Sequence, residues 1–439
     1  MPREKLYRDP IHDLIVLDLE WPADALLFRL IDTPEVQRLR RVRQLGMANF
    51  AFHGAEHSRF SHCIGVMHMA RRILFRLGQF VDVEPLTWVA VQCAALLHDI
   101  GHGPFSHVIE NFFDDHHEHW TVRILLDPGT EVHQVLADFD PALPRAVADL
   151  IEGRAKPGWV NRIVSSQLDA DRFDYLLRDS HMTGVKYGIF DLERLLLMLR
   201  VHEDGERIFV SPKGVLPVEK YLQSRYQMYR QVYFHKTVTA AEAMLMAILD
   251  RACVVARDAG ACPGVEPDSP FGRVLCGASA TLTVADYLQL DDSVIMGALG
   301  HWSRCGDRVL NDLARRLLRR RLFKSLDISN ATEDDFFIQG RIGQAKAQLS
   351  AAGFDPRYYL LFSTSSDTPY RPYNPRGDKP GQTIWVQDGK DPALLKDVKE
   401  VSPTVNAFVQ SPYTIWRAFF PPEGPGGEDL RGMVAGVFE

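Results

Sequence analysis

The feature that most constrains this chain is an apolar run that ends in two side chains of metal-ligand type. Trp88-Val89-Ala90-Val91 continues through Ala94-Ala95-Leu96-Leu97 and meets His98-Asp99-Ile100-Gly101-His102-Gly103-Pro104-Phe105-Ser106-His107. A stretch apolar on all its faces predicts a buried helix over Leu86 to Leu97. The glycines and proline beyond it break the helical pattern. A buried helix that delivers His-Asp into a Gly-rich turn points to a metal site at a helix end. Neutral imidazole with carboxylate suits a borderline or hard divalent cation. The same dipeptide in isolation also fits a satisfied surface pair, so the other pieces of the chain decide.

Two further segments supply ligands. His62 stands at the start of a helix whose apolar stripe is Val66, Met69, Ala70, Ile73 and Leu74. Between Leu168 and Asp179, the residues Asp171, Tyr175 and Asp179 fall at i, i+4 and i+8, on one helix face. Phe173, Leu176 and Leu177 form the back of that helix and read as core. Three helices that each turn ligands inward make a helical-bundle site from His62, His98, Asp99 and Asp171. Two histidines and two carboxylates leave open positions on an octahedral iron, manganese or magnesium ion, one of them for a water whose pKa the ion lowers. His102, His107 and His117 are expected around it, with ring pKa values suited to general acid work. Arg59, three residues before His62, either clamps a phosphate or forms an ion pair.

The rest of the chain reads as mainly helical. Residues 9–17 suggest a turn and a short strand. Asp32-Thr33-Pro34 starts a helix, with Asp32 or Thr33 as cap, that runs toward Gly46. Helical patterning resumes at 120–126, a hairpin turn lies at 203–206 beside a strand at 207–210, and one helical stretch covers 217–256. A loop is expected at 257–272 and helices to about 327. Strands are expected at 358–362 and 383–386. The expected organisation is a core over 1–334 and a small α+β lobe over 335–439, with a disordered tail at 421–427.

Composition narrows the class. At 46% hydrophobic and 24% charged residues, the 439-residue chain is globular in type. It has no apolar run of about 18 residues or more, so no membrane span is expected. Met1-Pro2-Arg3-Glu4-Lys5 lacks a signal-peptide apolar segment. Six scattered cysteines form no Cys-x-x-Cys pair, which argues against a zinc ribbon or a disulfide framework and for a cytoplasmic protein. A net charge of −7 leaves nucleic acid at most a weak partner. The basic runs 38–43 and 315–321 are either solvated helix faces or phosphate-binding or subunit contacts.

Taken together, His62, His98-Asp99 and Asp171 form the H…HD…D signature of the HD phosphohydrolase superfamily. Wider strings narrow the resemblance: Asp9-Pro10-Ile11-His12, Asp32-Thr33-Pro34, Gln37-Arg38-Leu39-Arg40, Gln44-Leu45-Gly46, Arg59-Phe60-Ser61-His62, the His98–His107 stretch and Asp169-Ala170-Asp171-Arg172-Phe173-Asp174-Tyr175. They resemble the dNTP triphosphohydrolase branch, over residues 5–330, with Tyr287–Asp292 and Arg321–Lys324 extending the match. No sterile-alpha-motif domain is expected ahead of the HD core.

The resemblance implies an HD-domain helical bundle that binds a divalent ion (manganese, iron, magnesium or zinc) through His62, His98, Asp99 and Asp171. It implies hydrolysis of a nucleoside triphosphate to nucleoside and triphosphate. His117 would match the catalytic histidine, with His116 and His119 as neighbouring alternatives, and His102 and His107 would line the phosphates. Arg59, Arg172 and Arg225 would meet the triphosphate. Gln44 and Leu45 would touch sugar and base, Tyr175 and Tyr233 would wall the deoxyribose, and Asp179 would lie near the 3′-hydroxyl. Asp32, Gln37 and Arg40 match positions that bind a guanine-nucleotide activator between subunits of a homo-oligomer, dimer or tetramer. An ordinary capped helix with exposed charges is the other reading of those three. Glu110 replaces an aspartate of the branch, Phe234 a polar residue and Arg8 an asparagine. Other HD phosphohydrolases, a nucleotidase or phosphodiesterase, and a non-catalytic nucleotide sensor are the competing functions.

Overall fold

The computed structural model describes residues 3–113, 115–328, 336–367, 370, 383–389, 391, 393–410, 413–424, 427 and 429–438. Among the described residues the fold is mainly helical, with three small sheets. Among the described residues no helix is long and apolar enough to cross a membrane.

The His-Asp helix spans Pro85–Leu97, and every residue from Val89 to Leu97 is buried. It packs against the Arg59–Leu77 helix, which in turn contacts the Ala170–Thr183 helix. Burying an aliphatic side chain of this size contributes roughly 1.5–3 kcal/mol. The run therefore easily offsets the cost of carrying two polar groups to its end. One apolar core lies under these helices and includes Val66, Ala94, Ile100 and Phe173. A second surrounds the long Lys236–Ala259 helix and includes Phe105, Ile109 and Trp120. The Gly-rich turn after Asp99 thus has Ile100 in one core and Phe105 in the other, at the seam between them.

The chain's first hairpin pairs Glu4–Asp9 with Asp13–Asp18, antiparallel. The strands of the last hundred residues pair with earlier segments. Lys324–Asp327 and Leu361–Asp367 flank Tyr413–Phe420 on either side, both antiparallel. Ile208–Val210 pairs in parallel with Trp385–Gln387, opposite Phe209 and Val210.

Several expectations change. The helical stretch 217–256 comprises two helices, Val215–Met228 and Lys236–Ala259, separated by a π-helical turn at Tyr229–Tyr233. The strand expected at 358–362 begins at Leu361, because Pro356–Tyr359 is a helical turn capped by the Asp355 side chain. Residues up to 327 are not all helical, since Lys324–Asp327 is a strand. Thr33 occupies the N-cap position of the Pro34–Arg38 helix without a side-chain bond, while Asp32 ends the preceding helix. In the expected tail, Glu423 bridges Asp429 and a helix follows at Leu430–Phe438. Pro425 and Gly426 lie outside the described residues. Arg38, read as part of a basic face, is fully buried: its guanidinium donates to the carbonyls of His102 at 2.8 Å and Leu290 at 3.1 Å.

Candidate metal and nucleotide site

Four side chains from three helices converge. His62 comes from the first turn of its helix, His98 and Asp99 follow the last turn of theirs, and Asp171 lies in the first turn of a third. His62, His98 and Asp99 each offer one ligand atom within 4.8 Å of the others. Asp171 Oδ1 is 3.1 Å from His62 Nε2 and 3.7 Å from His98 Nε2.

Both imidazoles are held from behind. His62 Nδ1 donates to Asp174 Oδ2 and His98 Nδ1 to the Ala95 carbonyl, each at 2.8 Å. Such bonds fix the tautomer and aim the free Nε2 at a metal. His98 Nε2 is a buried atom without a hydrogen-bond partner, 3.3 Å from Asp99 Oδ1. A bare ring nitrogen facing carboxylate oxygens calls for a positive charge between them, a proton or a metal ion. The electrostatics agree. Burial opposes protonation of His62, yet the hydrogen bonds from Asp171 and Asp174 push its pKa up to about 10. Burial likewise opposes it at His98, where Asp99 and Asp171 still raise the pKa. The cluster demands positive charge, and the donor set fits a divalent ion.

Asp174 organises the layer behind. It is fully buried and also accepts from His12 Nε2 at 2.6 Å and from Arg178 at 2.8 Å, and Arg178 reaches Asp9 at 2.8 Å. Burial opposes its ionisation, but Arg178 holds the carboxyl well below the usual range. Gly65 makes this possible, since a Cβ there would come within 1.9 Å of Asp174 Oδ1.

The turn after Asp99 is strained and braced. Phe105 and Ser106 both adopt left-handed backbone, with φ of 50°, a conformation costly for side-chain-bearing residues. Asp292 accepts from the Phe105 amide at 2.8 Å, Tyr287 donates to the Gly101 carbonyl at 2.6 Å, and Arg59 Nε donates to Ser106 Oγ at 2.9 Å. The other end of Arg59 forms a buried ion pair with Asp99. Burial opposes it, but that guanidinium holds the Asp99 carboxyl well below the ordinary range. Gly101 lets the His117–Leu126 helix close in: a Cβ there would lie 2.1 Å from the His117 carbonyl.

That approach stacks His117 on His102, with centroids 3.7 Å apart. Glu110 Oε1 lies 2.8 Å from His102 Nδ1 and 2.9 Å from His117 Nδ1. Burial, then Arg59 and His117, lower the His102 pKa to about 3, so that ring stays neutral. His117 faces the cavity, whereas His116 and His119 are exposed, the latter paired to Asp115 at 3.0 Å. The His107 side chain lies outside the described residues.

A cavity of about 500 Å³ opens from this cluster. Gln44, Leu45, Arg59, Arg172, Tyr175, Asp179 and Tyr233 all line it, as do His62, Asp99, His102, His117 and Asp171. Tyr233 donates to Asp179 Oδ2 and His57 lies against Oδ1, each at 2.8 Å, which fixes one aromatic wall. Arg225 is buried and sits over the Tyr229 ring, 5.0 Å from its centroid; Tyr229 lines the cavity in front of it. The outer triad is on the surface: Arg40 donates to Gln37 at 2.8 Å, and Asp32 is exposed on the preceding helix end. The cavity also includes residues that sequence reasoning did not single out. These are Glu242 of the Lys236–Ala259 helix and Ser363 and Ser365 of the Leu361–Asp367 strand. His12 and Asp174 were visible as parts of motifs, but their role behind His62 was not.

Comparison with known proteins matches residues 59–179 to the HD domain and residues 190–259 to the HD associated region. The uncharacterized protein YwfO of Bacillus subtilis is 38% identical over 429 residues, covering 96% of this chain and 93% of that one. The human deoxynucleoside triphosphate triphosphohydrolase SAMHD1 is 31% identical over 278 residues, which cover 55% of this chain and 43% of SAMHD1. The chain thus spans less than half the length of that relative. A crystal structure of a phosphohydrolase from Bacteroides thetaiotaomicron superimposes with a TM-score of 0.80 at 26% identity, covering 95% of this chain and all of that one. The matched HD domain spans the four converging side chains, and YwfO is matched along nearly its whole length. The chain belongs to the HD-domain phosphohydrolase family.

Proposed function

We propose that this chain is a metal-dependent triphosphohydrolase that splits a deoxynucleoside triphosphate into nucleoside and intact triphosphate. The observation that carries the reading is one continuous cavity, lined by His62, Asp99 and Asp171 of the His/Asp cluster, two arginines, a histidine pair and a tyrosine wall. The names of the SAMHD1 relatives add support. When bound, the divalent ion supplies electrophilic stabilisation of phosphate oxygens and makes water more acidic. His62, His98, Asp99 and Asp171 hold it.

The remaining roles fall to the chain's own groups. Arg59 and Arg172 neutralise the polyphosphate, as guanidinium forks do. Tyr175 and Tyr233 pack on the sugar, and Asp179, already held by Tyr233 and His57, accepts from its hydroxyl. Gln44 and Leu45 border sugar and base. The nucleoside 5′-oxygen is a poor leaving group and needs a proton. His117 is placed to give it, while neutral His102 stacks beside it and Glu110 steadies both rings.

Reaction in ¹⁸O-water tests which bond breaks. The expected result is label in the triphosphate and none in the nucleoside hydroxyl. Labelled nucleoside monophosphate with pyrophosphate would reject the triphosphohydrolase reading and favour another phosphohydrolase of this family.

The surface triad carries a second expectation. If Asp32, Gln37 and Arg40 bind a guanine nucleotide between subunits, GTP raises both activity and oligomer size. Asp32→Ala then removes that response while metal content stays constant, because a ligand bound only by the assembly must also stabilise it. Size-exclusion profiles and rates unmoved by any nucleotide would leave these residues as an ordinary helix surface.

A further inference from the structure

One carboxylate in the cavity has no function in the scheme above. Glu242 is half-buried on the Lys236–Ala259 helix, with Val238 and Thr239 one turn earlier on the same cavity-lining face. Its Oε1 sits against Gly46, 4.0 Å from where a Cβ would be, directly after Leu45. Among the described residues it makes neither a hydrogen bond nor an ion pair. Burial alone pushes its carboxyl up to about 7, with no contribution from Arg59, Arg172 or the Asp99–Asp171 cluster. It therefore stands apart from the charged end of the cavity. Gln44 Oε1 is a buried acceptor there without a hydrogen-bond partner. Buried polar groups are normally paired, so the Gln44 oxygen, with the unpaired and half-buried Glu242 carboxylate open to the same cavity, marks a place where a ligand brings donors.

The orientation of the ligand follows from charge. A polyphosphate is drawn to the arginine and metal end and repelled by a carboxylate, which leaves the base for the Glu242 wall. We infer that Glu242 reads the base of the bound nucleotide and favours guanine, an inference that rests on the triphosphohydrolase reading above. Guanine offers N1–H and N2–H side by side, so one carboxylate can accept two parallel bonds. Adenine and cytosine offer one amino group beside a ring acceptor, and thymine one N–H between two carbonyls; each sets a lone pair against a carboxylate oxygen. Ser363 and Ser365 hydroxyls, from the same face of their strand, adapt to the remaining edge.

The test is an equimolar mixture of the four dNTPs with excess GTP, followed by chromatography. Relative depletion reports the ratios of kcat/KM, and an effector that acts on all four alike cancels out. The wild type is expected to consume dGTP about tenfold or more faster than the others. Glu242→Gln should lower dGTP consumption by about 10- to 100-fold, the range of one bidentate base contact, while the other three change by less than about threefold. Glu242→Asp should keep dGTP first. Thermal unfolding guards against a structural explanation: removing an unpaired, half-buried carboxylate should leave Tm at pH 8 unchanged or higher. Equal depletion of all four by the wild type, or a uniform slowing by Glu242→Gln, overturns the role of Glu242 and leaves the triphosphohydrolase reading intact. Depletion of none, with metal bound, overturns that reading and this inference with it.

Discussion

Replacing His98 and Asp99 together with alanine is expected to abolish turnover and strip the divalent metal from the purified protein. Partners one layer behind a metal are worth about 10- to 100-fold in affinity or activity, and loss of two direct ligands goes well beyond that. Removing Asp99 also has a structural cost. It leaves Arg59 buried without its partner, and breaking a buried pair on one side destabilises by about 3–5 kcal/mol. The His98→Ala single variant separates the two effects. His98 Nε2 has no hydrogen-bond partner, and the ring makes one backbone bond, to Ala95. Its loss should therefore lower metal content sharply with little change in the unfolding temperature of the metal-free protein. Metal content and rate at wild-type levels in the double variant would rule out this cluster as the metal centre.

His117→Ala is expected to slow nucleoside release by about 10²- to 10⁴-fold, the usual worth of a positioned proton donor, with metal still bound. The argument rests on division of labour in the stacked pair. His102 is kept neutral by burial and by the charges of Arg59 and His117, so the proton must come from its neighbour. A bound cation would only add to that pressure. His116→Ala and His119→Ala, exposed beside it, should retain wild-type rates. Elemental analysis sharpens the result. Asp99, His102 and His117 could themselves hold an ion, so loss of metal in His117→Ala would make that histidine a ligand instead of an acid.

Much of the His/Asp cluster was legible in the sequence because its side chains lie at helix ends and on helix faces that periodicity exposes. The apolar run before His98 and the four-residue spacing of Asp171, Tyr175 and Asp179 both survive in the structure. Asp174 was hidden by the same logic. It sits on the buried side of its helix, where only its four-residue spacing from Arg178 hinted at a charged pair in the core. His12 joins that pair from 162 residues away, a separation to which no local pattern speaks. The π-helical turn at Tyr229–Tyr233 has no proline or glycine to mark it, so the surrounding pattern reads as helical with no visible break. The helical turn at Pro356–Tyr359 could have been seen, since Asp355-Pro356 is a helix-start signal. Glu242, Ser363 and Ser365 were invisible for another reason: a polar residue on an amphipathic helix or strand looks the same whether it faces solvent or a ligand.

The strand that brings Ser363 and Ser365 to the cavity has a consequence for how the protein is made. It is flanked by Tyr413–Phe420, which also holds Lys324–Asp327. The helices that carry His62, His98, Asp99 and Asp171 are complete by Thr183. On the ribosome, at roughly 5–20 residues per second, tens of seconds separate those two events. Throughout that interval the nascent chain has every side chain of the His/Asp cluster but lacks one wall of the chamber beside it. The centre is assembled early and enclosed late, and the order is written into which end of the chain supplies each part.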